Sequence, residues 1–174
     1  DWYNAGYGDV LKANEESITR WAGTTWSNYY TQIQYINSFL ENKDKVPDAA
    51  QRRRVEGEAH FFRAYYYYML WRRFGGVLLI DHKYDPLTRP EKFPRASYEQ
   101  MVSFIVSEAD KADSLLSVTN TASDAGRITR GAAIMLKAKT YLWASGTVFQ
   151  NKPKSYLGFT DDKSQAMLQK ARAA

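Results

Sequence analysis

The stretch QRRRVEGEAHFFRAYYYYMLWRRFGG, residues 51–76, decides the fold of this chain. Its apolar residues recur at intervals of three and four, which is typical of a helix. They form two stripes, one through Val55, Ala59, Phe62, Tyr66, Met69 and Leu70, and one through Phe61, Tyr65, Tyr68 and Trp71. A helix that is apolar over most of its circumference packs on several sides. We therefore predict a long, deeply packed helix over residues 48–74.

Local signals mark both ends of this helix. Asp48 follows Pro47 and precedes Gln51 by three residues, which is the spacing of an N-cap. At the other end, two glycines follow Phe74, and glycine is favoured just beyond a helix C-terminus. The cationic pair Arg72 and Arg73 in the last turn complements the helix dipole.

Further helices are predicted on either side of this segment. The apolar spacing predicts helices over residues 25–42, 97–116 and 129–145, and a fifth from about residue 161. Ser97 and Gln100 have the spacing of a capping box at the start of one of them. The sequence predicts a short extended stretch over residues 77–80 and a loop over the proline-containing residues 81–94. Residues 1–23 show no clean period and are interpreted as mostly loop, with a short helix near residues 10–18.

Two of the predicted helices carry the same pattern. The motif Gly57-x-Ala59-x-x-x-Arg63-Ala64-x-x-Tyr67 recurs as Gly131-x-Ala133-x-x-x-Lys137-Ala138-x-x-Tyr141, 74 positions later. Small residues allow close helix contact, as in tetratricopeptide repeats. We predict an all-α chain of tetratricopeptide-like helical hairpins with long inserted loops, stacked as in a solenoid. The expected core residues are Phe62, Tyr66, Leu70, Leu136 and Tyr141.

The composition limits the class of protein. The 174 residues are 44% hydrophobic and suit one packed domain, with residues 1–23 loop-rich and residues 24–174 as the helical scaffold. No apolar run is long enough to span a bilayer. The net charge of +5 is spread over the chain, so no nucleic-acid partner is expected. Because the chain starts at Asp1 and stops within a helical run, we expect it to be part of a longer protein.

Catalytic and metal-binding groups are scarce. The chain has no Cys and two histidines, so we expect no metal site and no cofactor. Glu56 and Glu58 diverge by about 200° on a helix and cannot flank one glycosidic bond. His60 is expected to be a packed or hydrogen-bonded core residue. The tyrosines at 65–68 cover a whole helical turn and are expected to pack in the core or against a partner protein. We expect no enzyme and no catalytic residue.

The sequence RRVEGEAHFFRAYYYYMLWRRFGGVLLI, residues 53–80, resembles the SusD-like (RagB/SusD) outer-membrane glycan-binding lipoproteins of Bacteroidota. Three more stretches resemble the family in the expected order: WSNYYTQIQYINSFLE at 26–41, RASYEQMVSFIVSEADKADSLL at 95–116 and GRITRGAAIMLKAKTYLWASG at 126–146. The resemblance covers most of the chain from residue 26 onward. Family members are several hundred residues long, so the chain resembles an N-terminal portion.

The resemblance implies a function that the helical pattern alone does not indicate. It implies a surface-exposed lipoprotein of the outer membrane that takes part in polysaccharide utilisation. Such a protein binds oligosaccharides, or sometimes peptides, without cleaving them. It also implies a partner, a TonB-dependent SusC-like transporter. The lipid anchor would be the only membrane attachment, and its Cys is absent from this chain. The alternative is a helical-repeat scaffold that binds proteins and has no sugar affinity.

We expect this chain's share of the ligand site within residues 1–23. The aromatic residues there are aperiodic and lie among Gly, Asn and Asp, whereas aromatics within the helices have a packing explanation. A sugar ring suits an aromatic platform beside amide side chains. The predicted ligand-binding residues are Trp2, Tyr3, Asn4, Tyr7, Asn14 and Trp21. For Trp21, packing before the first helix is an equally supported alternative.

Overall fold

The computed structural model describes residues 15–83 and 93–174, with the backbone alone described for residues 15–24. Within those ranges it contains five α-helices and no strand, so the predicted all-α architecture is confirmed. The helices are α1 (Glu15–Asn42), α2 (Ala49–Phe74), α3 (Tyr98–Leu115), α4 (Arg130–Ala144) and α5 (Ser164–Ala173). No helix in the described part of the chain is long and apolar enough to cross a membrane.

The predicted start of the first helix at residue 25 is wrong, because α1 begins ten residues earlier, at Glu15. The stretch 15–24 carries no apolar period, which is why the sequence pattern missed it. It does contain good helix formers and two glutamates at its start, and negative charge is favourable at a helix N-terminus. The segment interpreted as loop-rich is therefore helical from residue 15 onward.

The predicted caps of α2 and α3 are confirmed. The side chain of Asp48 accepts a hydrogen bond from the backbone N–H of Gln51 at 2.6 Å. Ser97 and Gln100 form a reciprocal capping box. Gly75 ends α2 with φ +70°, and a Cβ on it would lie 2.3 Å from the carbonyl oxygen of Tyr156. Only glycine satisfies both the left-handed backbone and this close approach.

Each helix packs on the next one in the chain, from α1 to α5. The core runs through these contacts, and α2 lies between α1 and α3. Aromatic rings fill the centre, with Tyr67 against Phe104 and Trp71 against Tyr98 at ring-centroid distances of 5.0 and 4.9 Å. The sequential packing agrees with the predicted stack of hairpins.

The predicted core is partly wrong. Leu70 and Leu136 are buried as expected, but Phe62 is 38% exposed, and Tyr66 and Tyr141 are half-buried. The buried face of α2 instead runs through Gly57, His60, Ala64, Tyr67 and Trp71. Because this face includes a polar residue, the apolar stripe beside it gave the stronger sequence signal.

The two copies of the repeated motif differ in their surroundings. A Cβ on Gly57 would lie 2.9 Å from Cγ of Leu116, so this glycine permits close approach of α3 as predicted. Gly131 is exposed and has no such neighbour, so the prediction of a close contact there is wrong. Tyr67 is fully buried, whereas Tyr141 is only half-buried. In the described part of the chain, the second copy therefore lies nearer the surface than the first.

Candidate functional site

A buried polar cluster joins the first three helices. Glu108 on α3 accepts a hydrogen bond from Arg63 Nε, and its carboxylate lies 2.7 Å from His60 Nδ1. Both partners belong to α2. The second carboxylate oxygen of Glu108 accepts a hydrogen bond from Lys111 Nζ at 2.7 Å. On the other side, Arg63 donates to Asn37 Oδ1 on α1 at 2.9 Å. Since every charged group has a partner, the cluster satisfies the requirement for burying charge.

The chemistry of this cluster is structural. Burial disfavours ionisation of Glu108, but hydrogen bonds from His60 and Arg63 and the Arg63 charge outweigh it and lower the pKa of Glu108 to about 2. The carboxyl group is therefore ionised at neutral pH and holds no proton to donate. The expectation that His60 is a hydrogen-bonded core residue is confirmed.

The cluster also fixes the extended segment 77–82 that follows α2. Asn37 Nδ2 donates to the carbonyl oxygens of Ile80 and His82 at 2.9 and 2.8 Å. The Tyr67 hydroxyl donates to the carbonyl of Ile80 at 3.0 Å and accepts its backbone N–H at 2.8 Å. Tyr30 donates to the carbonyl oxygen of Leu78 at 2.7 Å. Side chains from α1 and α2 thus hold this segment without a sheet.

The extended segment forms one wall of a groove, and α1 forms the other. We call it the hydroxyl-lined groove, and its volume is about 340 Å³. It is lined by Trp26, Ser27, Tyr30, Thr31, Gln34, Leu78, Ile80 and Phe93. Among these side chains, aromatic rings alternate with hydroxyl and amide groups and none is charged. The surface that this groove exposes is mainly apolar, with a few hydroxyl and amide groups.

A second groove lies on the opposite flank of α1, against α2. We call it the aromatic groove, and its volume is about 270 Å³. It is lined by Gln32, Tyr35, Ile36, Phe39, Ala59, Phe62 and Tyr66. Tyr35 is 67% exposed, and Phe62 and Tyr65 are each 38% exposed nearby. Clustered exposed rings of this kind are common at protein interaction surfaces.

Of the six sequence-predicted ligand residues, the structure describes only the backbone of Trp21. Trp2, Tyr3, Asn4, Tyr7 and Asn14 lie outside the described residues. The backbone of Trp21 lies within α1. The site predicted within residues 1–23 therefore stays a prediction.

Other charged candidates from the sequence are engaged in separate ion pairs. Glu56 pairs with Lys43, and Glu58 accepts two hydrogen bonds from Arg127 at 2.7 and 2.6 Å. The two carboxylates thus point to different partners, as their helical spacing predicts. The described residues contain no group of three or more His, Asp or Glu side chains positioned to hold a metal ion.

Sequence reasoning missed Asn37 and Glu108, which organise the extended segment. A signal for Glu108 was present, since it lies on the same face of α3 as Met101, Ile105 and Ala112. A carboxylate within an apolar stripe predicts a buried cation opposite it. The partner, Arg63, lies 45 positions away on another helix, so the sequence alone does not identify it.

Comparison with known proteins places this chain in a family. The model of a SusD-like family described as "starch-binding associating with outer membrane" matches residues 2–142. A SusD-like protein of Bacteroides ovatus is 31% identical over 126 residues, covering 70% of this chain and 22% of the relative.

Solved structures give the same result. A SusD-like protein from Bacteroides fragilis is 30% identical with a TM-score of 0.67, covering 71% of this chain and 24% of that structure. A laminarin-binding SusD-like protein is 27% identical with a TM-score of 0.63, covering 70% of this chain and 26% of that structure. The chain thus spans about a quarter of the length of the proteins it matches.

Proposed function

Because the chain belongs to the SusD-like family, we propose that the whole protein binds oligosaccharides or other nutrients at the cell surface without cleaving them. It then delivers them to a TonB-dependent outer-membrane transporter. The observation that carries this proposal is the family match over residues 2–142, since the family is described as starch-binding and associated with the outer membrane. A relative with the same fold is named for laminarin binding, which supports a polysaccharide ligand.

The physical features of the chain agree with a binding role. Both grooves combine aromatic rings with amide or hydroxyl groups, and the buried Glu108 carboxylate holds no proton to donate at neutral pH. Binding without cleavage needs rigid surfaces and no general acid. Attachment to the membrane would be through a lipid anchor on the whole protein.

The aromatic groove supports the partner part of the proposal. Tyr35 and Phe62 line this groove with exposed rings, and the exposed ring of Tyr65 lies nearby on α2. Aromatic residues are enriched at the centre of protein interfaces, where they bury large areas at low entropic cost. We assign this surface to contact with the SusC-like transporter. The same surface would serve the alternative function, a protein-interaction scaffold without sugar affinity.

We also propose that residues 1–23 contribute to the ligand site through Trp2, Tyr3, Asn4, Tyr7, Asn14 and Trp21. Trp2→Ala in the full-length protein should weaken oligosaccharide binding severalfold and leave the melting temperature unchanged, because a stacking platform adds affinity but no core packing. Unchanged affinity would remove Trp2 from the site. A large fall in melting temperature would assign it to the core.

One comparison separates the proposed function from the scaffold alternative. The full-length protein is run in native gels that contain soluble starch or laminarin, and separately used to pull down outer-membrane proteins. Delivery of nutrients predicts both slower migration in a polysaccharide gel and capture of a β-barrel transporter. Capture of a transporter without retention by any tested polysaccharide or peptide would favour the scaffold.

A further inference from the structure

We propose that the outward side of α4 is the docking site for a further helix of the same protein, the helix that follows α5 in the whole chain. This side carries Met135, Ala138 and Leu142, which we call the α4 outer face. Their spacing of three and four residues places them on one side of the helix. Met135 and Leu142 are 59% and 57% exposed, and Ala138 is half-buried.

The helix α4 is built to pack on two opposite sides. Its inner side lies in the core through the buried residues Ala133, Leu136, Thr140 and Ala144. The α4 outer face lies about 180° from this inner side around the helix axis. A helix that carries apolar side chains on opposite sides is typical of one enclosed between neighbours, rather than of one at the surface.

The internal repeat shows what the α4 outer face corresponds to in the first hairpin. The offset of 74 residues matches it, position by position, with Phe61, Ala64 and Tyr68 on α2. All three of these side chains are buried. The same side of the repeated helix therefore belongs to the core in the first copy and to the surface in the second.

Later helices of the chain bury this side of α2. The C-terminal end of α3 reaches it at Gly57, where a Cβ would lie 2.9 Å from Leu116 Cγ. The helix α4 reaches it through Arg72, whose guanidinium carbon lies 5.4 Å from the ring centroid of Tyr68 and 4.3 Å from that of Trp143 on α4. The first copy is thus covered by the next helix and by the helix after that. The equivalent cover for α4 consists of α5 and the helix that follows α5.

The helix α5 supplies only part of this cover. It has 10 residues and α3 has 18, so α5 spans about 15 Å and α3 about 27 Å. The Lys170 ammonium of α5 lies 5.7 Å from the ring centroid of Tyr141, but the adjacent Leu142 stays exposed.

The occupant follows from the order of packing and from the length of the relatives. Each described helix packs on the next one in the chain, so the next helix is the expected neighbour of α4 and α5. The proteins that this chain matches are about four times as long. A whole protein of that length has ample residues to form a third hairpin. Helices stacked in this way bury a continuous core through neighbouring repeats.

Cysteine labelling of the folded full-length protein tests this proposal. Met135→Cys and Leu142→Cys place a thiol on the α4 outer face, and Val118→Cys places one at an exposed apolar position outside α4. Each variant is made in a background without other cysteines. Its rate of reaction with a maleimide is measured in buffer and in urea, where the rates of the three unfolded variants should be equal.

A photo-crosslink identifies the neighbour without changing the sequence. Photo-methionine, a diazirine analogue close in shape to methionine, is incorporated into the full-length protein. Mass spectrometry of the digested protein then shows which peptide is joined to position 135. A mixture of unlabelled and nitrogen-15-labelled protein distinguishes a crosslink within one chain from a crosslink between two copies.

In buffer, both α4 thiols should react more slowly than the Val118→Cys thiol by roughly tenfold or more, because a reagent reaches a packed thiol only when the structure opens locally. The crosslink from Met135 should join it to a peptide after residue 174 of the same chain. Labelling of both α4 thiols at the Val118→Cys rate would overturn the proposal. Protection that is lost on dilution, or a crosslink between two copies, would assign the face to a second copy and overturn it as well. A crosslink only to peptides within residues 1–174 would also contradict it. None of these results depends on oligosaccharide binding, so the proposed function stands or fails separately.

Discussion

Arg63 on α2 and Glu108 on α3 form a buried ion pair, with Arg63 Nε 2.7 Å from Glu108 Oε2. Their side chains are only 7% and 1% exposed. Through Asn37, the same arginine reaches α1 and the extended segment after α2. One ion pair therefore links the packing of three helices to the position of a groove wall.

Removing Arg63 should destabilise the chain strongly. Arg63→Ala leaves the Glu108 carboxylate buried with its main cationic partner missing, which typically costs about 3–5 kcal/mol of unfolding free energy. The matched control is Arg127→Ala, which removes an exposed partner of Glu58 and should cost far less, because solvent screens an exposed ion pair. Urea unfolding measures both. Equal losses for the two variants would show that the buried pair is not a structural centre.

The free energy of unfolding should fall in acid because the Glu108 carboxylate becomes protonated. Its pKa is lowered from an ordinary 4.5 to about 2 in the folded protein, so the unfolded chain binds a proton first as the pH falls. The carboxylate therefore contributes stability that is complete above pH 4.5 and is lost as the pH falls towards 2. The full contribution is about 3 kcal/mol.

Glu108→Gln supplies the control for this pH dependence, because glutamine has the same shape and does not titrate. The difference in unfolding free energy between the two proteins should shrink as the pH falls from 5 to 2. Parallel pH profiles would mean that the folded pKa of Glu108 is not lowered.

Alanine at the two repeat glycines should have opposite effects. Gly57→Ala brings a Cβ to 2.9 Å from Leu116 Cγ and 3.0 Å from Leu115 Cβ, so α3 must shift. Overpacking of about 1–3 kcal/mol exceeds the helix-propensity gain of about 1 kcal/mol, and we expect a net loss near 1 kcal/mol. Gly131→Ala meets only Thr129 Oγ1 at 3.9 Å and should be neutral or stabilising. Thermal unfolding of both variants checks the sign, and a stabilised Gly57→Ala would refute the close packing.

Phe62 and Leu70 should respond differently to truncation. Leu70 is fully buried, so Leu70→Ala should cost about 2–5 kcal/mol by leaving a cavity. Phe62 is 38% exposed in the aromatic groove, and Phe62→Ala should cost less than about 2 kcal/mol. Denaturant midpoints of the two variants test the ranking. A larger loss for Phe62→Ala would restore the core position that the sequence pattern predicted.

The helix bounds were largely predictable because their signals are local. Asp48, Ser97 and Gly75 each act through bonds or backbone angles within a few residues of themselves. The start of α1 was missed because residues 15–24 carry no apolar period. Local sequence therefore predicts where most helices end but not how each one is oriented in the core.

The site was less predictable because it depends on contacts between distant segments. The hydroxyl-lined groove needs Leu78 and Phe93 beside α1, and Asn37 fixes the extended segment by a hydrogen bond to Ile80, 43 positions away. No local pattern marks Ser27 or Thr31 as groove residues, since exposed hydroxyls on a helix are common. The orientation of α2 was also hidden, because its buried face contains His60 and Arg63, which become compatible with burial only through Glu108.

Calorimetric titration of the full-length protein with malto-oligosaccharides and laminari-oligosaccharides tests the proposed binding function most directly. We predict saturable binding of at least one of these glucans, with no release of shorter sugars after prolonged incubation. No measurable heat with either glucan from a folded protein would contradict glucan binding, and release of shorter sugars by the purified protein would contradict binding without cleavage.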